Sequence, residues 1–495
     1  MVKYRGLPRR GELVTLTIRG ITPQGQGEAR LTHLGDDGIS REWGLEVRNA
    51  LPGDEVEACI VQASRRKLAA ATVRVLRPSP ARRPTRCPHA GMRIDAHTGC
   101  GGCPLQALDY PTQLAAKEEM VARAMRDEGL SVPLAPIIPV ASPWFYRNKM
   151  ELTFAEDGQG RLGLGLHPMG YKHEVIDLRA CFLLSPFADL LAPHVSAWAK
   201  ALGLEAFIFR QDRGFLRTLT IREGKRSGQR VVILTTAAED PVNTAHGPMP
   251  AQEVAASFSA CVRAFAEEKG EPLDGLHWMV HHAKKGQRSW VEDHVLAGPG
   301  YLREALHIGN TAPLHFKVHP LAFFQPNTLQ AERLYEEVAL ALGEALTARG
   351  RVYDLYCGTG TIALSLARRV HSVVGVDLSA EAIANAVQNA QDNGLANVTF
   401  IAGDVGEVLE QQRFDAARGD VVVVDPPRRG LLPGAKRLLL AMRPRRLVYV
   451  SCNPLALAAD LIDFRDAGYQ VTRVQPIDML PQTGHVECVA SLSLP

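Results

Sequence analysis

Residues 351–369 read RVYDLYCGTGTIALSLARR. An apolar strand, Arg351 to Leu355, runs into Gly358-Thr359-Gly360, and a helix opens near Thr361. Glycines let the backbone approach a ligand closely, and a helix N-terminus favours a carboxylate or phosphate. A strand, loop and helix in that order make the first unit of a doubly wound sheet, whose ligands sit at the carboxyl ends of its strands. The loop alone fits a plain dinucleotide fold equally well.

Working outward, the alternation persists. A helix from Leu329 to Leu346 precedes the loop, and strand Ser372–Val376, a helix from Ala380 to Asn393 and strands Val398–Ala402, Val421–Val424 and Leu447–Val450 follow it. The second strand ends at Asp377, about twenty residues past the glycines, where a carboxylate can accept from a ribose diol. The third ends at Gly403-Asp404, suited to an adenine amino group. A glycine loop and two spaced acids favour an adenosine cofactor. Asp425-Pro426-Pro427-Arg428 is a rigid turn that fixes a carboxylate at a strand tip. Ser451-Cys452-Asn453-Pro454 places a thiol at the next tip, and a lone cysteine there is more often a core thiol than a nucleophile. On the alternating stretch from His485 to Leu492, Glu487 and Cys488 face opposite sides.

At 495 residues, with 46% hydrophobic and 22% charged residues, the chain is expected to form two or three domains. Its start lacks a signal-peptide core and its longest aliphatic runs are strand-sized, so a cytoplasmic protein with no membrane span is expected. A monomer is the working expectation. Residues 11–78 alternate β-rich runs with turns such as Pro52-Gly53-Asp54 and predict a small β-barrel of OB-like size. Residues 64–86 carry eight basic residues and no acidic one, either a phosphate-binding strip or a solvated linker. Pro78 to Pro84 reads as a linker, Pro111 to Arg126 as a helix, 146–320 as mostly strands, and Pro241 to Pro250 as an exposed loop. Of nine cysteines, Cys87, Cys100 and Cys103 are clustered; with Cys181 downstream they give four thiolates for a metal centre. Cys357 reads as packing.

Taken together, several motifs resemble the class I S-adenosylmethionine-dependent RNA uracil-5-methyltransferase family. They are Phe323-Phe324-Gln325-Pro326-Asn327, Asp354 to Gly360, Asp425 to Gly430, Ser451 to Pro454 and His485-Val486-Glu487, with Tyr146-Arg147-Asn148-Lys149 upstream. The resemblance implies an α/β fold: a Rossmann-like class I methyltransferase domain over 326–495, an N-terminal TRAM/OB-like β-barrel over 1–80 that binds RNA, and a central α+β iron–sulfur domain over 85–325. It implies that Gln325, Tyr356, Gly358, Gly360, Thr361, Asp377, Asp404 and Asp425 hold S-adenosyl-L-methionine. The family often has glutamate at Asp377 and asparagine is one alternative at Thr361; both residues here keep a hydrogen-bonding group.

In that family Cys452 would add to uracil C6 and Glu487 would remove the C5 proton. The resemblance further implies a [4Fe–4S] cluster on Cys87, Cys100, Cys103 and Cys181, with zinc as the alternative. Twelve residues separate Cys87 from Cys100, about twice the family's spacing, so His89 or His97 stands as a substitute ligand. The target base must be unpaired or flipped out. The barrel and four cysteines point by analogy to 23S ribosomal RNA. The T-loop of transfer RNA is the second reading and a catalytically silent RNA-binding assembly factor the third.

Overall fold

The computed structural model describes residues 7–34, 38–64, 67–90, 99–157, 159–169, 174–283, 289–343, 350–411 and 420–495. The C-terminal sheet has seven strands. Its first strand in the chain, Arg351–Leu355, is interior, flanked on one side by Ser372–Asp377 and Val398–Ala402. On the other side lie Val421–Val424, Arg446–Ser451, Glu487–Ser493 and Gln470–Ile477. Counted in chain order, the strands run 3-2-1-4-5-7-6 across the sheet, parallel except for Glu487–Ser493, which is antiparallel to both its neighbours. Val421 to Val424 are all buried, as expected of a central parallel strand covered on both faces. The order reverses beside Arg351–Leu355, which opens a crevice at the carboxyl ends of that strand and of Val421–Val424.

The N-terminal sheet runs from Leu13 to Arg77 and has six strands. Leu13–Thr17 pairs with Glu55–Ala63, while Gly20–Ile21, four residues on from Leu16, pairs with Gly27–Leu34 at the other end of the strand order. One bent segment therefore joins both ends of the sheet. Its core is Leu16, Ile18, Val47, Val56, Ala58 and Ile60, alternating residues of facing strands. The middle of the basic stretch 64–86 is strand Leu68–Arg77. Its cations are mostly paired: Lys67 with Glu46 at 2.7 Å, Arg74 with Glu57 and Arg77 with Glu55 at 3.0 Å. Arg65 and Arg66 lie outside the described residues. A free phosphate-binding strip is therefore not what the described part of this segment forms. The linker is also fastened, since Arg82 meets the fully buried Asp54 at 2.6 Å and the Ser79 amide donates to the same carboxylate at 2.9 Å.

The central region is a second seven-stranded sheet, but it is less strand-dominated than expected. Helices Pro186–Ala201 and Ala251–Lys269 cover one face, burying Leu191, Val195, Val254 and Phe258 against Leu219 and Val232. Pro193 inside the first helix and two phenylalanines in the second weaken helix propensity, and tertiary burial overrides it. The stretch Pro241 to Pro250 is a hairpin, Val242–Thr244 with Gly247–Met249, rather than an open loop. Helix Tyr110–Asp127, capped by the Asp109 carboxylate on the Thr112 amide at 3.0 Å, packs its Val121 and Met125 into the core of the C-terminal sheet with Phe464 and Tyr469. Among the described residues no helix is long and apolar enough to cross a membrane.

Candidate active site

The glycine loop turns sharply because three alternate residues take special conformations. Tyr356, Gly358 and Gly360 all have positive φ (65°, 54° and 79°). At Gly360 a Cβ would also stand 2.7 Å from the Phe400 ring, so both backbone and packing demand glycine. Asp354 is fully buried beneath the loop, where its Oδ2 accepts the Ala363 amide at 2.8 Å. Burial and then the nearby Asp425 hold its carboxyl well above the usual range.

A cleft of about 640 Å³ opens above the loop. Gln325, Tyr356, Gly358, Asp377 and Asp425 line it, and Cys452 and Glu487 close its far end. Asp377 accepts the amides of Gly358 and Ser379, both at 2.9 Å, leaving lone pairs free for a ligand diol. Asn385 lines the same wall, and its Oδ1 is buried with no hydrogen-bond partner among the described residues. Open space over Gly358, a spaced carboxylate and an unpartnered amide oxygen fit an adenosine-bearing ligand. Burial alone pushes Asp425 up to about 7.

Cys452 leaves the sheet at the end of strand Arg446–Ser451, and Asn453 caps the following helix through its Oδ1 on the Leu455 amide at 3.2 Å. The same Asn453 side chain donates to the Arg428 carbonyl at 2.8 Å, which fixes the cysteine turn to the Asp425-Pro426-Pro427-Arg428 turn. Burial, and secondarily Glu487, push the Cys452 thiol up to about 11, against the opposing pull of Arg428. Glu487 is held well above the ordinary carboxylate range by burial and then Asp425. Arg428 hydrogen-bonds the ring of His485, which burial and the same guanidinium push down to about 4, so the imidazole is neutral. A thiol, two carboxyls and one guanidinium thus share the cleft end, a set suited to nucleophilic addition with proton transfer.

A second groove of about 740 Å³ meets the first at Cys452. Its other wall is the N-terminal sheet; Arg19, Arg30, Lys67, Arg123 and Arg428 outnumber the two acids Glu28 and Glu46 in its lining, and Lys67 and Arg123 are paired with those acids, so the groove is basic in balance.

The family described as tRNA (uracil-5-)-methyltransferase matches residues 287–494. An uncharacterised RNA methyltransferase of Protochlamydia amoebophila is 38% identical over 458 residues, covering 91% of this chain and 100% of that protein. The chain belongs to the S-adenosylmethionine-dependent RNA uracil-5-methyltransferase family. Another uncharacterised RNA methyltransferase, from Gloeobacter violaceus, is 35% identical across 97% of this chain and 96% of its own length. The solved structure of Pyrococcus abyssi tRNA (uracil-54, C5)-methyltransferase in complex with S-adenosyl-L-homocysteine has the same fold, with a TM-score of 0.68 at 24% identity over 97% of this chain and 100% of that one. The protein is therefore an S-adenosylmethionine-dependent RNA methyltransferase with a mixed α/β fold of several sheets.

In this methyltransferase three expected cofactor residues stand back from the cleft wall. Gly360 packs on Phe400, Thr361 is bonded through its hydroxyl to Tyr335 at 3.0 Å, and Asp404 accepts the Gly406 amide at 2.8 Å. Their positions support the loop and the next helix. Ser379, Glu381 and Asn385 line the cleft but carry no sequence signal, being ordinary first-turn and helix-face residues after Asp377. Cys357 is buried and Cys488 fully so, on the strand face opposite Glu487.

Cys87, Cys100, Cys103 and Cys181 surround one small, largely apolar cavity with Trp144, Leu166 and Phe182. Burial raises all four thiols, Cys181 to about 12, and for Cys103 the other three add to the effect. Backbone amides offset this: those of His89 and Ala90 point at Cys87, and that of Gly102 lies 3.4 Å from the Cys100 sulfur. Among the described residues no three metal-ligating side chains converge on the position of a single ion. His89 uses its Nε2 to accept the Arg179 amide at 3.0 Å, and His97 lies outside the described residues.

Proposed function

We propose that this methyltransferase methylates C5 of a uridine in 23S ribosomal RNA through a covalent adduct between Cys452 and uracil C6. The observation that carries the reading is the place of Cys452, on the one wall common to the adenosine-sized cleft and the basic groove. A thiol there can meet a base from the groove and a methyl donor in the cleft together.

S-adenosyl-L-methionine would lie along Gln325, Tyr356, Gly358, Asp377 and Asp425, and when bound it supplies an electrophilic methyl group. Uracil C5 is a weak nucleophile, so Cys452 adds first: its Sγ bonds to C6 and the electron pair moves to make C5 an enolate carbon. After C5 is alkylated, Glu487 takes the C5 proton, and the electron pair left behind expels Sγ. A carboxyl held high by burial is a stronger base than an exposed one, and general-base transfer is worth about 10²–10⁴ in rate. Arg428 is the cation that favours the Cys452 thiolate.

Residues 1–80 serve in this reading as a TRAM-like RNA-binding barrel, 85–325 as the central domain and 326–495 as the methyltransferase domain. The four cysteines would hold a [4Fe–4S] cluster, to which amides directed at the sulfurs are suited. Zinc draws its thiolates to about 2.3 Å from one point, so thiols spread around a cavity favour the larger centre. No redox step is required, and the centre has a structural role.

Transfer RNA is a second reading, because the likeness to the Pyrococcus abyssi enzyme extends through the N-terminal sheet and the cysteine region. Family membership with Cys452, Asp425 and Glu487 intact leaves the assembly-factor reading without support. Incubation with labelled S-adenosylmethionine and either 23S or transfer-RNA transcripts tests the choice. Label in 5-methyluridine of the ribosomal transcript alone supports the proposal, and label in transfer RNA alone overturns its substrate.

A further inference from the structure

We infer that the Gln113–Gln482 pair is a positioning device that fixes the loop leading to Glu487. Gln482 lies 2% exposed in a left-handed conformation, φ 68°, which a non-glycine residue keeps only where its surroundings over-determine it. Every polar group it has is engaged. Its amide donates to the Gln113 side-chain oxygen at 3.0 Å, and its own side-chain oxygen accepts from Gln113 Nε2 at 2.9 Å. Its backbone carbonyl accepts the Leu105 amide at 3.0 Å, and its Nε2 donates to the Pro143 carbonyl at 3.4 Å.

Around this reciprocal amide pair the rest of the loop is held by the same part of the chain. Asp478 meets Lys117 at 2.5 Å with both side chains fully buried, and accepts from the Tyr110 hydroxyl at 2.7 Å. Tyr146 donates to the Pro481 carbonyl at 3.0 Å. Residues 478–482 take most of their partners from helix Tyr110–Asp127 and from Leu105, Ile138, Pro143 and Tyr146, all more than 330 residues earlier in the chain, and one from Asn327, whose side-chain amide donates to the Met479 carbonyl at 3.1 Å. Thr483 then accepts the His485 amide at 3.2 Å, and strand Glu487–Ser493 begins two residues later. An irregular, buried loop whose strained residue has its polar groups engaged is a rigid support, and what it supports is the side chain that shares the cleft end with Cys452. Leu105 lies two residues past Cys103, so the cysteine segment bears on the same loop.

The inference rests on Glu487 being the base of the proposed reaction, and the test separates the two. Glu487→Gln, Gln482→Ala and the milder Gln113→Asn are each mixed with substrate RNA and S-adenosylmethionine, and covalent protein–RNA adduct is followed beside kcat and KM. Glu487→Gln should trap adduct. Gln482→Ala and Gln113→Asn should form adduct at the normal rate yet release it slowly, lowering kcat by about 10²-fold, the effect of a displacement near 1 Å, with KM for both substrates held. Adduct released at the wild-type rate in both glutamine variants, or formation and release impaired in proportion, overturns the inference alone. Failure of Glu487→Gln to trap adduct overturns the reading of the base and the inference with it. Should Gln482→Ala not fold, Gln113→Asn alone decides.

Discussion

The side-chain amide of Asn148 donates to the backbone carbonyl of Gln325 at 2.7 Å and to the Thr328 hydroxyl at 3.0 Å, across 177 residues of chain. The Asn148 amide also donates to the Pro326 carbonyl at 2.9 Å. Two sequence motifs thus form one joint, by which the central sheet holds the cleft-lining Gln325. Asn148→Ala leaves the buried Gln325 carbonyl unpaired, which costs about 1–3 kcal/mol. We expect a lower melting temperature and weaker binding of S-adenosylhomocysteine by calorimetry, with Cys452 adduct chemistry intact once the ligand is saturating.

Asp425 carries a pH signature. Its carboxyl ionises near about 3.9 in an unfolded chain and near about 7 when folded. Between those values the unfolded state has released a proton that the folded state keeps, so stability falls as pH rises through this window and stays lower above it. Asp425→Asn removes the effect. Its thermal stability relative to the wild type should rise from about pH 5 to about pH 8, while methyl transfer is lost; equal stability differences at both pH values would contradict the burial argument.

Gly484 bears on how the N-terminal sheet docks. A Cβ there would stand 2.4 Å from the Gly25 nitrogen and 2.7 Å from the Thr22 carbonyl oxygen, both backbone atoms that cannot swing aside. Gly484→Ala should push the turn at Gly25 away and widen the groove beside Cys452. Limited proteolysis is expected to cut the N-terminal sheet faster and RNA affinity to fall, with binding of S-adenosylhomocysteine unchanged.

For the four cysteines, anaerobic purification should give brown protein with iron and sulfide in equal amounts, and Cys103→Ser should lose both. Colourless protein carrying stoichiometric zinc would replace the cluster with the simpler centre.

The strands from Arg351 to Ser451 are legible because buried parallel strands are continuous apolar runs, and Val421–Val424 could be little else. The strand Gln470–Ile477 is not legible, since Arg473, Gln475 and Pro476 interrupt its apolar pattern; Gln475 is satisfied by the Pro136 carbonyl at 2.7 Å, a partner invisible in one dimension. The two central helices hide for a related reason, as tertiary burial rather than propensity holds them. At the site, Cys452, Asp425 and Glu487 stand at strand ends that periodicity locates. Asn385 and the Gln113–Gln482 pair depend on packing between distant segments and leave no local trace.

Trapping is the most direct measurement of the covalent proposal. Substrate RNA carrying 5-fluorouridine has no C5 proton for Glu487 to remove, so an adduct, once methylated, cannot eliminate. With S-adenosylmethionine present, mass spectrometry should find the fluorinated pyrimidine bonded to Cys452, and Cys452→Ala should form none. Methylation of ordinary uridine by Cys452→Ala, or a conjugate through any other residue, would contradict the account.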